Sequence, residues 1–115
     1  MDTKDTQNIQ DFWAIGINYK KTDASLRGAF AISSEHYDQL LAIAPDYGLN
    51  EFFILSTCNR TEIYGFADAP NQLTRLLCSV TAGDEATFNG ISYTKNSRKA
   101  IEHLFNEAAG LDSQI

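Results

Sequence analysis

Cys58 and Arg60 stand two residues apart in Ser56-Thr57-Cys58-Asn59-Arg60-Thr61-Glu62, a polar stretch between two apolar, strand-like runs. A thiolate is a strong nucleophile, and its population depends on nearby positive charge. A guanidinium holds a carboxylate with two parallel hydrogen bonds. Together they read as the reactive loop of a thiol enzyme acting on something acidic. The second cysteine, Cys78, falls inside the helical pattern 73–80 and reads as a small packing residue. With two cysteines, no Cys-x-x-Cys and no His-rich cluster, no zinc site is legible.

The two histidines differ in setting. On the last helical pattern His103 falls about 100° from Leu104 and about 200° from Ile101, off the centre of the apolar stripe. That makes a core histidine less expected and leaves a surface or a functional one. His36 shares a polar helix face with Glu35 and Gln39 and reads as surface.

These residues need a frame. Residues 12–18 form an apolar first strand in which Gly16 permits close backbone approach. Residues 19–31 show no clear period. Tyr37, Leu40, Leu41 and Ala44 recur at helical spacing, opened by Ser33 or Ser34 and closed before Pro45. Strands at 51–57 and 61–67 lie too close for a crossover and predict an antiparallel hairpin with Cys58-Asn59-Arg60 at its tip. Pro70 opens a helix with the stripe Leu73, Leu76, Leu77 and Val80, and Gly83 is placed to end it. Residues 84–95 offer a short strand near 91–94. A last helix from Asn96 or Ser97 should bury Ile101, Leu104, Phe105 and Ala108 and stop at Gly110. The order β-α-β-β-α-β predicts an α+β fold, a ferredoxin-like sandwich: an antiparallel sheet with helices on one face, plus an extra C-terminal helix.

The chain has 115 residues, 43% hydrophobic and 21% charged, enough for one core without staples. Residues 1–11 read as a polar, disordered lead and 12–115 as one domain. No run approaches the roughly 18 apolar residues of a membrane span, no secretory signal is legible, and the expected location is cytoplasmic. A net charge of −6 argues against a strong phosphate grip by this domain alone. If the substrate includes RNA, most of that grip should lie elsewhere.

The stretch 54–64, Ile-Leu-Ser-Thr-Cys-Asn-Arg-Thr-Glu-Ile-Tyr, resembles the active-site signature of glutamyl-tRNA reductase, the first committed enzyme of five-carbon tetrapyrrole and heme synthesis. Two more segments agree in order and spacing: Gly16-Ile17-Asn18-Tyr19-Lys20 with Leu26-Arg27 and Phe30, and His103-Leu104-Phe105 with Ala108-Ala109-Gly110-Leu111-Asp112-Ser113. The resemblance implies that Cys58 attacks the aminoacyl ester of glutamyl-tRNA and that NADPH reduces the resulting thioester to glutamate-1-semialdehyde. It further implies Arg60 as ligand of the substrate's side-chain carboxylate and His103 as general acid/base or orienting group. Thr57 and Ser113 become candidates to bind the aminoacyl group, with Asn59 holding the turn.

The family usually reads Asn-His-Lys-Thr where this chain has Asn18-Tyr19-Lys20-Lys21, so no role of that imidazole carries over and Tyr19 is assigned none. No Gly-x-Gly-x-x-Gly follows a strand, and the expectation is a catalytic domain cut before the NADPH-binding and dimerisation regions. Such a piece would be a monomer and at most a slow esterase. The full-length enzyme would be a homodimer able to meet the next enzyme, glutamate-1-semialdehyde aminomutase. The competing reading is a non-catalytic, ferredoxin-like module that binds a small ligand. In it Cys58→Ser would be harmless while Arg60 still mattered.

Overall fold

A computed structural model describes residues 8–19, 24–57 and 59–113, with Ala24 and 110–113 described by backbone alone. Four strands, β1 (Phe12–Asn18), β2 (Phe52–Ser56), β3 (Arg60–Phe66) and β4 (Tyr93–Asn96), form one sheet in the order β2-β3-β1-β4. Every neighbouring pair is antiparallel. Helices α1 (Ala24–Phe30) and α2 (Ser34–Ile43) connect β1 to β2, and α3 (Pro70–Val80) and α4 (Glu85–Ile91) connect β3 to β4. This is the α+β, ferredoxin-like arrangement that the order of sequence patterns predicts.

Strand alternation sorts the side chains. Ile15, Ile17 and Ile63 face the layer of Phe30, Leu40, Leu73, Leu76, Leu77 and Phe88, all fully buried. Each large side chain buried there contributes about 1.5–3 kcal/mol. That layer, rather than the thinner opposite face, carries most of the fold's stability. The opposite face presents Ala14 and Tyr64 to Ala100 and Leu104 of the last helix, α5 (Arg98–Ser113). Ser97, in the left-handed region at φ 59°, makes the sharp turn that sends α5 back across that face. Its N–H donates to Phe12 O at 2.8 Å.

Several expectations are corrected. The periodless stretch 19–31 contains α1, and α4 occupies most of the segment read as a loop with a short strand; β4 begins only at Tyr93. Both helices have seven residues, too few for a period to show, and each contains a glycine. Leu41 is exposed rather than part of the α2 stripe. Gly83 does not cap α3, which ends at Val80; its N–H donates to Ala29 O and it lies against the Phe30 ring, where a Cβ would come within 2.2 Å. α5 continues past Gly110 and turns Phe105 (67% exposed) and Ala108 to solvent. Of the segment read as a lead, 9–11 form a 3-10 turn, and Asp11 O accepts from Ala67 N–H.

Candidate functional site

The β2–β3 hairpin is tied from several sides. Thr57 N–H donates to Arg60 O at 2.8 Å, and Thr57 Oγ1 accepts from the N–H groups of Asn59 and Arg60 at 3.1 and 3.3 Å. Tyr19 N–H donates to Asn59 O at 2.7 Å, which fixes the turn to the end of β1. Thr57 therefore holds the turn through both backbone and hydroxyl, a local side-chain bond of the kind that shapes turns. Cys58, the expected nucleophile, lies outside the described residues.

Arg60, Glu62 and Tyr64 alternate onto the face covered by α5, because a strand repeats every two residues. There they meet His103 and Glu107, one helical turn apart on α5. Arg60 Nη1 donates to Glu107 Oε1 at 2.5 Å, and His103 Nε2 lies 2.5 Å from Glu62 Oε2 and 3.4 Å from Glu107 Oε1. Glu62 is fully buried and also accepts from Tyr64 OH, at 3.0 Å, and from Tyr93 OH. Burial first, and then the charge of Glu62, push the Tyr64 phenol above its ordinary pKa. Burial and then the hydrogen bond to Glu62 do the same to Tyr93, against a smaller opposing effect of Arg60.

Arg60 and His103, distant in sequence, are thus joined in one charged cluster through Glu107 and Glu62. Ser113 belongs to α5, but its side chain lies outside the description. His36 is not an unengaged surface residue: it caps α2 reciprocally with Ser33. Tyr19 is buried, its hydroxyl 2.6 Å from Thr61 Oγ1, which in turn lies 3.2 Å from Ser56 Oγ. That makes Tyr19 part of the hairpin's anchorage.

Sequence reasoning passed over Glu62, Tyr93 and Glu107 as site residues. For Glu62 a signal existed: a carboxylate two positions after Arg60 on a strand must share its face. For Glu107 the i,i+4 spacing from His103 was the corresponding cue.

Glu62, His103 and Glu107 offer ligand atoms within 4.8 Å of one another, enough to consider a cation. The donors are already engaged, however. Arg60 holds Glu107, and Tyr64, Tyr93 and His103 crowd Glu62, so a metal would sit against a guanidinium. The cluster reads as an ion-pair and proton network. A dinucleotide fits no better: among the described residues the sheet has no parallel crossover whose crevice could take the pyrophosphate.

Cys78 matches its expected packing role. It is half-buried against the core, and burial, reinforced by Glu85 and Asp84, pushes its thiol up to about 11. At pH 7.5 its thiolate fraction is then about 100-fold or more below that of a free thiol. Alkylation with iodoacetamide, followed by peptide mass spectrometry, should label Cys78 at least about 100-fold more slowly than free cysteine. Labelling at the free-thiol rate would contradict that environment.

The fold and site define a ferredoxin-like α+β domain with a charged cluster beneath its hairpin turn. Residues 15–115 match the glutamyl-tRNAGlu reductase N-terminal domain, and the chain belongs to that family. It is 48% identical over 104 residues to the glutamyl-tRNA reductase of Flavobacterium psychrophilum, covering 90% of this chain and 25% of that relative. With the glutamyl-tRNA reductase of Brevibacillus brevis it shares 34% identity over 110 residues, 91% of this chain and 24% of the relative. The solved glutamyl-tRNA reductase from Methanopyrus kandleri has the same fold, with a TM-score of 0.63 at 23% identity over 90% of this chain and 23% of that one. The chain spans about a quarter of the length of these curated relatives. No helix among the described residues is long and apolar enough to cross a membrane.

Proposed function

We propose that this chain accepts the glutamyl group of glutamyl-tRNA on Cys58, the acylation half-reaction of a glutamyl-tRNA reductase. The observation that carries the reading is the joining of Arg60 and His103 in one cluster on the sheet face covered by α5, with Arg60 opening β3. The Cys58 thiolate attacks the ester carbonyl carbon, so a C–S bond forms and the C–O bond to the tRNA ribose breaks. The ribose oxygen leaves with a proton from His103. Glu62 engages Nε2 of that imidazole and so leaves Nδ1 to exchange the proton. Arg60 receives the substrate's side-chain carboxylate and favours glutamate over its neutral amide. Thr57 keeps the turn in register, and Ser113 stands as a further contact to the aminoacyl group.

The finer properties are proposed for the whole reductase: reduction with NADPH, a homodimer, hand-over to glutamate-1-semialdehyde aminomutase, and a cytoplasmic location. The acyl transfer is the part proposed for these residues.

Acid-quenched intact mass spectrometry after mixing with charged glutamyl-tRNA tests the step. A gain of one glutamyl group is expected, lost in Cys58→Ser and kept in Cys78→Ser. An adduct that survives Cys58→Ser, or neither adduct nor deacylation, would overturn the reading.

A further inference from the structure

We propose that Glu107 is a built-in occupant of the substrate-carboxylate site: its side chain holds on Arg60 the place that the incoming glutamyl carboxylate takes, and substrate binds by exchange. This rests on the acyl-transfer reading of Arg60. The side chain of Glu107 is chemically the same as that of the glutamyl substrate, and it reaches Arg60 Nη1 at 2.5 Å with only 14% of its side-chain surface exposed. α5 turns this carboxylate inward while leaving Phe105 in solvent. A carboxylate so largely buried is tolerable only when paired, and the pair gives each partner an opposite charge before substrate arrives.

Two consequences follow. First, the contact runs through Nη1 and Oε1, so a free carboxylate that docks with two parallel bonds has the stronger geometry and can displace it. A neutral amide cannot: it would leave Arg60 poorly matched and Glu107 unpaired together. Glu107 therefore lowers the apparent affinity for glutamate, the ligand that takes its place on Arg60, and leaves that for the amide unchanged. Second, Glu107 Oε1 lies 3.4 Å from His103 Nε2 while paired with Arg60, so a carboxylate released from the guanidinium has another partner one helical turn away.

Glu107→Gln and Glu107→Ala in this chain test the idea, with near-ultraviolet circular dichroism to confirm folding. The probes are glutamate α-methyl ester and glutamine α-methyl ester, titrated calorimetrically. The expected result is about a 10-fold or greater gain in affinity for the glutamate ester in both variants and no gain for the glutamine ester. Equal affinity in wild type and variants, an equal gain for both esters, or no binding by either variant at millimolar ester would overturn it.

The acylation assay separates the two readings. Variants that acylate Cys58 without the affinity gain leave acyl transfer standing and remove the occupant. Variants that gain affinity, in a protein of which no form acylates Cys58, retain the occupant and remove acyl transfer.

Discussion

Replacing Glu62 with alanine is expected to destabilise the domain by about 3–5 kcal/mol, as when one partner of a buried charged network is deleted. Glu62 is fully buried, takes hydrogen bonds from Tyr64 and Tyr93, and lies 2.5 Å from His103 Nε2. Alanine would leave two phenols and an imidazole facing an unfilled space with no acceptor. Against a total stability of about 5–15 kcal/mol for a domain of this size, the loss should lower Tm by about 10–25 °C. Glu62→Gln keeps one acceptor but turns an amide N–H toward donors, and should cost about 1–3 kcal/mol.

The phenols give a second readout. Both have folded-state pKa values above the ordinary 10.0. Their contribution is therefore full below pH 10 and is lost as pH rises through the folded values. In wild type, phenolate absorbance from these residues should appear above pH 10, together with loss of tertiary structure. Urea unfolding of Glu62→Ala within about 1 kcal/mol of wild type would show that the network contributes little.

How much of this was legible depended on which force wrote the pattern. Leu40, Leu73, Leu76 and Leu77 announced their helices because hydrophobic burial alone turns them inward. The hairpin was legible because its polar turn separates two β-prone runs. α5 was misread in its facing. Apolar spacing nominated Phe105 and Ala108 for the core, but the covered sheet face carries Arg60 and Glu62, which draw in His103 and Glu107. A rule that treats charged residues as outward cannot anticipate a helix docked by its ion pairs. α4 had a local signal that went unused: Asp84 Oδ1 accepts from Thr87 N–H, an N-cap bond that opens the helix. The thiol and the guanidinium were nominated by their spacing alone, and of the two the structure describes Arg60, paired with Glu107. Their partners were not, since Glu62 meets His103 only after α5 folds back across the sheet.

Gly16→Ala is expected to cost about 1–3 kcal/mol through overpacking and to slow acylation of Cys58 by about 100-fold, as a displacement near 1 Å at a reacting site does. Gly16 lies in the central strand β1, opposite Glu62 on one side and Tyr93 on the other. A Cβ there would come within 2.6 Å of Glu62 Cγ, 2.9 Å of Thr61 O and 2.9 Å of Tyr93 OH. The Thr61 oxygen is backbone in the adjacent strand, and Glu62 is held by three partners, so neither can yield without breaking the network. Alanine lowers the chain entropy lost on folding by about 0.5–1 kcal/mol relative to glycine, which is too little to offset the clash. Gly28 is the control. It sits in α1 with nothing within 4 Å of its Cβ position, so Gly28→Ala should stabilise by about 0.5–1 kcal/mol and leave acylation unchanged. If both variants were stabilised and acylated at the wild-type rate, Gly16 would not be the residue that makes room for Glu62, and the positioning of His103 would need another cause.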